Sequence, residues 1–252
     1  MKKLLLAGVA AAALSTTAIS SGALAADLGV PRQPVAETAV VVPTAFSWSG
    51  FYGGVHFGYG WGRSNWGFSP SGTTVSPSMD GVFGGGQLGF NYQINNIVLG
   101  IEGDASAADL SGWSTCPNAA FTCASRANFL GSIRGRVGWA WDRTLIYATG
   151  GVAFGQFRNR TYDAPTVTQV GAYSNSRVGY ALGAGLEYAW TPNVTTKLEY
   201  MYYDFGSSTQ LPGPGSLDPT GFDSTRIRNN VHTVKIGLNY LFSTGPGAVS
   251  RY

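Results

Sequence analysis

Eight charged side chains carry the chemistry this sequence offers: Glu102, Asp104, Glu187 and Glu199 against Arg134, Arg136, Lys197 and Lys235. Each alternates with apolar neighbours, a period of two that sends all eight to one side of extended strands. Four acids and four bases facing a common interior have two uses. Paired, they form a salt-bridged plug, because a charge withdrawn from water needs a partner. Hydrated, they line a narrow pore. Gly54, Gly58, Gly60, Gly100, Gly138, Gly179, Gly183, Gly185 and Gly237 share that face. Their missing side chains leave room for water or permit strong strand curvature. We take the plug as the expectation and the pore as its alternative.

Other reactive residues are few. Cys116 and Cys123 lie seven apart, and in an exported chain a disulfide is the default for such a pair. Closing so short a loop contributes roughly 2–3 kcal/mol on the chain-entropy picture. No His lies near them, so a four-ligand zinc site is not expected and no metal is assigned. The sequence has two histidines, His56 and His232. Asp223 and Ser224 precede His232 without the spacing of a known nucleophile motif, and no phosphate-cradling Gly motif occurs. The expectation is therefore no catalytic residues, no enzyme and no cofactor.

These residues need strands to hold them. Residues 230–242 alternate strictly: His232, Val234, Ile236, Leu238, Tyr240 and Phe242 on one face, Thr233, Lys235, Gly237 and Asn239 on the other. The same rhythm recurs at 51–61, 81–92, 97–105, 127–141, 145–157, 178–190 and 194–205. The period leaves the facing of 145–157 open, since Ile146, Val152 and Phe154 compete with Leu145 and Tyr147. Short links at 93–96, 142–143 and 191–193 carry turn residues such as Asn, Asp and Pro. They alternate with long links at 62–80, 106–126, 158–177 and 206–229. Short turns on one side and long loops on the other, with apolar outsides, describe a transmembrane barrel. Aromatics cluster at two heights on the apolar face. Tyr92, Trp139, Trp141, Tyr188, Trp190, Tyr240 and Phe242 form a periplasmic girdle, and Tyr59, Trp61, Phe129, Tyr180, Tyr200 and Tyr202 an outer one. The fold class is all-β: an eight-stranded antiparallel up-and-down transmembrane β-barrel with short periplasmic turns and long outer loops.

The N-terminus sets the route. Lys2 and Lys3, an apolar run over 4–13 and the Ala23-Leu24-Ala25 site read as a signal peptide over 1–25. Residues 26–49 hold Pro31, Pro34 and Pro43 and read as a periplasmic linker, 50–242 as the barrel and 243–252 as a C-terminal extension. Without Lys2 and Lys3, 14 basic residues face 13 acidic ones, which gives no reason to expect nucleic acid. Low charge, 12% of residues, with 36 Gly suits barrel strands and turns. A soluble barrel or sandwich would bury its apolar face; here the other face looks too small and too charged to be a core.

The opening Trp48-x-Gly50-Phe51-Tyr52-Gly53-Gly54, the run Gly58-Tyr59-Gly60-Trp61 and the closing Leu238-Asn239-Tyr240-Leu241-Phe242 resemble the small outer-membrane β-barrel proteins of alphaproteobacteria. This porin-family group includes major surface antigens and hemin-binding surface proteins. The resemblance spans about residues 46–242 and implies residence in the cell outer membrane. It implies contact with outer-membrane lipid and lipopolysaccharide, and with the barrel-assembly machinery during insertion. Such chains usually end at the last aromatic, whereas residues 243–252 follow Phe242 here. Hemin binding, where it occurs, needs an axial ligand such as His56, His232 or a loop tyrosine (Tyr162, Tyr173). In the last loop, Asp218, Asp223, Arg226 and Arg228 read as solvated charges, with lipopolysaccharide or a divalent ion as the alternative. The function expected is a structural and surface role in the envelope, as a monomer.

Overall fold

The computed structural model describes residues 46–218 and 223–243. The predicted signal peptide, the linker up to residue 45 and the extension beyond 243 lie outside them. Nine strands occur among the described residues: β1 (Gly50–Ser69), β2 (Thr74–Val75), β3 (Ser78–Ile94), β4 (Ile97–Thr115), β5 (Phe121–Trp141), β6 (Thr144–Asp163), β7 (Gln169–Ala189), β8 (Val194–Gln210) and β9 (Ser224–Ser243). All but β2 are long. Each long strand pairs antiparallel with the next, and β1 pairs with β9 from Gly50↔Ser243 to Ser69↔Ser224. That pairing closes a ring of eight, which a lipid environment demands; towards the outer end the β7–β8 ladder stops at Tyr180↔Asp204. The two-residue β2 folds back on the outer end of β1, with Trp66↔Val75 and Gly67↔Thr74.

The turns follow from their residues. Asn95 and Asp142 take left-handed backbone (φ 54° and 51°) in the β3–β4 and β5–β6 turns, a conformation Asn and Asp tolerate better than most. Two-residue reversals are possible there because of it.

The strands run further than the alternation suggested. They span 17 to 21 residues, while crossing the hydrocarbon takes about 9–11. Most of the predicted links at 62–80, 106–126, 158–177 and 206–229 therefore continue the ladder, and Arg226 and Arg228 sit on β9 rather than in a loop. The extra length is possible because its inward residues find a core of their own, described below. A bulge at Asn128, between Ala127 and Phe129, shifts the phase of β5 by one residue. Below it Phe129, Ile133, Val137, Trp139 and Trp141 point out; above it Cys123, Ser125 and Ala127 point in and Arg126 points out.

The outward wall is a continuous apolar band. Val55, Phe57, Leu88, Leu99, Ile101, Ile133, Val137, Leu182, Leu186, Leu198, Ile236 and Leu238 are all exposed, Leu88 to 71%. The open facing of residues 145–157 is resolved: Ile146, Val152 and Phe154 point out, while Leu145, Tyr147 and Phe157 point in.

The inward face corrects one expectation. It is a core, in layers. Trp48, Val98, Ala140, Leu145, Tyr147 and Ala189, with Phe46, close the periplasmic end. A second apolar cluster fills the barrel above mid-height: Met79, Phe83, Leu110, Ala127, Leu130, Ala153, Phe157, Ala181, Met201, Tyr203, Phe205 and Val231. A third, Trp66, Phe68, Cys116, Cys123, Leu217 and Ile227, caps the outer end. Closing an eight-stranded barrel leaves an interior that side chains can fill, and here they do. The linker boundary moves with this finding: residues 46–49 belong to the barrel's lower cap.

Candidate functional site

The charged layer lies between the lower and middle apolar clusters. β4 supplies Glu102 and Asp104, β5 Arg134 and Arg136, β7 Glu187, β8 Lys197 and Glu199, and β9 Lys235. The two-residue period places each on the lumen side, and the ring brings all eight into one network. Glu102 is its hub. One carboxylate oxygen accepts from Arg134 at 2.5 Å. The other accepts from Tyr52 Oη at 2.7 Å and Arg136 at 3.3 Å. Lys197 Nζ donates to both, at 2.8 and 2.7 Å.

The other acids share the same cations. Glu199 accepts from Arg134 at 2.8 Å, Lys235 at 3.0 Å and Tyr147 Oη at 2.7 Å. Asp104 accepts from Arg134 at 2.7 Å and Lys235 at 3.0 Å. Glu187 accepts from Arg136 at 2.7 Å, Thr195 Oγ1 at 2.5 Å and Asn239 Nδ2 at 2.9 Å. The Arg136 guanidinium also lies 4.0 Å from the Tyr147 ring centroid, a cation–π placement. Formal charges cancel within the layer, and the side chains are at most 2% exposed. Every charge has an opposite partner, as desolvated charges require, while Nε of Arg134 and of Arg136 is buried without a hydrogen-bond partner.

The polar network extends upward on one side. Gln87 Nε2 donates to Asn239 Oδ1 at 2.6 Å, and His56 bonds both Gln87 and, through Nε2, Ser106 Oγ at 2.7 Å. Both ring nitrogens of His56 are thereby engaged inside the wall. His232 lies on the outward face instead, bonded to Tyr200 Oη at 2.7 Å and stacked 6.0 Å from Trp61. It is part of the outer girdle. Ser224 pairs with Ser69 at the top of β9, eight residues above His232 on the same strand. At about 3.3 Å per residue that is roughly 26 Å, out of reach of a proton relay.

The lumenal glycines do not leave space. A Cβ on Gly60 would lie 2.7 Å from Leu110 Cδ2; on Gly138 it would lie 2.8 Å from Leu145 Cδ1. On Gly58 it would overlap Phe83, on Gly183 Met201, on Gly185 Tyr147, and on Gly100 Asn91. Large side chains from neighbouring strands occupy the positions glycine vacates. At these six positions the room glycine leaves is taken up by neighbouring side chains, and at Gly54 and Gly179 by the backbone of the adjacent strand.

The aromatic residues named from the sequence lie on the outward wall. Tyr92, Trp139, Trp141, Tyr188, Trp190, Tyr240 and Phe242 are exposed at the periplasmic end, where Tyr188 packs on Trp190 and Tyr240 on Phe242. Tyr59, Trp61 and Tyr200 are exposed in the outer girdle, and Tyr202 is half-buried there. Cys116 and Cys123 form a disulfide, Cα atoms 5.2 Å apart, inside the outer cap.

Sequence reasoning missed Trp48, Tyr52 and Tyr147. Trp48 is fully buried at the periplasmic mouth, its indole donating to Asp142 O at 3.3 Å and its amide to Gln93 Oε1 at 2.8 Å. The signal for Tyr52 and Tyr147 was parity: both share a face with the charged residues.

Residues 4–242 match a family profile described as outer membrane protein beta-barrel domain. The 31 kDa outer-membrane immunogenic protein of Brucella melitensis biotype 1 is 34% identical over 255 residues, covering 96% of this chain and all of the relative. A 22 kDa outer membrane protein of Rhizobium leguminosarum bv. viciae is 32% identical over 214 residues, covering 82% of this chain and 83% of the relative. The crystal structure of the outer membrane protein OprG from Pseudomonas aeruginosa superposes with a TM-score of 0.50 at 14% identity, covering 78% of this chain and 97% of that one. At that identity the likeness concerns the fold alone.

Proposed function

The chain belongs to the outer-membrane β-barrel family and resides in the outer membrane, and on that premise we propose that it works as a sealed barrel, structural and surface-presenting rather than conducting. One observation carries this reading. The neutral charged layer is flanked by apolar clusters on both sides, so an ion entering from either end crosses an apolar layer before it reaches these charges. Transfer of an ion into such a layer is strongly opposed. The filled positions beside the glycines support the same reading and weaken the narrow-pore alternative.

The non-catalytic part of the proposal draws on the relatives, named for their membrane and their immunogenicity, and on the separation of Ser224 from His232. In its partners we propose outer-membrane lipid on the apolar wall and, during insertion, the assembly machinery acting on the β9 end of the chain. The uniform apolar band favours a monomer. Single-channel recording of the refolded chain in a planar bilayer tests the reading. Silence from protein that shows the heat-dependent gel shift of a folded barrel is expected. Steady discrete openings would return the pore to first place.

A further inference from the structure

Beyond Tyr180↔Asp204, β7 continues outward without β8, paired with β6 as far as Tyr162↔Gln169. β8 leaves it at Gly206, which takes left-handed backbone (φ 62°) and turns its N–H to Asp204 Oδ1 at 2.8 Å. From there β8 follows β9, from Ser207↔Arg228 to Gln210↔Thr225. Further out the chain returns to β7, where Ala172 N–H donates to Gly215 O at 3.1 Å. The result is a window in the wall, with Tyr180 below it and Ala172 above. Tyr180 belongs to the outer girdle, so the window opens where the hydrocarbon ends; an unpaired edge is tolerated in water and not in lipid. It also opens above Ala181 of the middle apolar cluster, which keeps the seal beneath it intact.

The edge that β7 shows to this window is regular. In an antiparallel strand the N–H and C=O of alternate residues point to one side. Ala172 bonds Gly215 and not β6, so Ser174, Ser176 and Val178 turn their main-chain groups the same way, into the window, where no ladder partner meets them. Their side chains are exposed, while Tyr173, Asn175 and Arg177 on the inward face are half-buried. Inward residues at this end of other strands, Ser64, Ser125, Asn159 and Asn229, are at most 2% exposed, so solvent enters at β7. Arg177 is the incomplete group. Its Nη2 is buried without a hydrogen-bond partner. Unlike the eight charges below, it takes part in no ion pair among the described residues.

We propose that the free β7 edge binds a short extended peptide carrying a carboxylate, which adds as a strand beside residues 174–178 and pairs its acid with Arg177. Donors and acceptors that alternate at the repeat of a strand match another peptide backbone, and an unpaired edge is a template for one. Sugars and phosphates lack that repeat. At about 3.3 Å per residue the edge is roughly 13 Å long, room for an added segment of about four or five residues. The side chain opposite Arg177 on that segment faces inward, within reach of the guanidinium. A carboxylate there supplies the missing partner through a charge-assisted hydrogen bond. One side-chain bond crosses the window, Asn175 Nδ2 to Ser208 Oγ at 3.4 Å. It is long for a hydrogen bond, and an entering strand displaces it.

The test titrates the refolded chain in maltoside micelles with the capped peptide acetyl-Val-Thr-Glu-Thr-Val-amide and follows backbone amides by NMR. Saturable shifts and slowed hydrogen exchange are expected at Ser174, Ser176 and Val178. The same peptide with Gln for Glu should bind the parent roughly tenfold more weakly, as losing a charge-assisted bond implies. Arg177→Gln should bind both peptides equally weakly. Ser176→Pro removes an N–H that faces away from β6, a place where an edge strand accepts proline. It should keep the heat-dependent gel shift and lose the peptide. Failure of Ser176→Pro to fold would put that N–H in a ladder and overturn the assignment. So would the absence of saturable shifts in the parent, or equal affinity for the Glu and Gln peptides, two measurements that need no variant. Full displacement by equimolar acetate would mean a free-carboxylate site. A dimer of the parent that Ser176→Pro dissociates would give the edge to a second copy. Either result overturns the peptide assignment.

Discussion

Lys197 Nζ bridges the two carboxylate oxygens of Glu102 at 2.8 and 2.7 Å, across the full width of the lumen. Their strands, β8 and β4, are separated by three strands in either direction around the ring. Backbone ladders tie neighbours only, so this ion pair and its companions brace walls that share no hydrogen bonds.

Breaking the brace on one side should be costly. Glu102→Gln removes the charge that Arg134, Arg136 and Lys197 share. A loss of about 3–5 kcal/mol is expected, since an uncompensated buried charge remains. Urea unfolding in lipid vesicles measures it. Adding Lys197→Met to that variant should recover part of the loss, and a double-mutant cycle that returns no coupling would exclude the brace.

Trp48 should behave as a core residue although it precedes the first strand. Trp48→Ala empties the centre of the lower cap, and about 3–5 kcal/mol should be lost. The temperature of the folded-to-unfolded gel shift should fall accordingly. A free linker residue in that place would leave it unchanged.

Two glycines separate a filled lumen from a hydrated one. Gly60→Val drives a side chain into Leu110 Cδ2 and Thr233 Cγ2, which would stand 2.7 and 3.3 Å from its Cβ; overpacking of about 1–3 kcal/mol is expected. Gly67→Ala meets nothing within 4 Å and should alter barrel stability little. Equal tolerance at both sites, read by the same gel shift, would argue for water at Gly60.

The disulfide should act locally. Cys116→Ser with Cys123→Ser unties the β4–β5 hairpin inside the outer cap, at a cost of roughly 2–3 kcal/mol. Limited proteolysis should then cut between β4 and β5 faster, while the membrane-embedded half keeps its protection. Uniform loss of protection along the barrel would contradict that placement.

The outward half of the fold was legible because lipid-facing alternation is loud. Leu99 and Ile101, or Val234 and Ile236, announce themselves beside polar neighbours. The eight lumenal charges were legible for the same reason in reverse. Trp48 was not, because it follows the proline-containing stretch and belongs to no periodic run. The upper core was missed where both faces carry bulk: Leu130 and Phe129 are adjacent, and the bulge at Asn128 breaks the period between Ala127 and Phe129. Met79, Leu110 and Ile227 lie in stretches rich in Ser, Thr and Gly whose outward positions are polar because they stand above the lipid. There the contrast that marks a strand inverts, apolar inside and polar outside, and reads as loop.

On the sealed-barrel proposal, the apolar layers above and below the charges make each copy an electrical insulator set in the membrane. Leak across an outer membrane scales with the number of open barrels, whereas insulating ones add none. The quantity of this protein a cell can carry is then bounded by the area of its surface and the capacity of its export route, and not by the solute gradients it must keep.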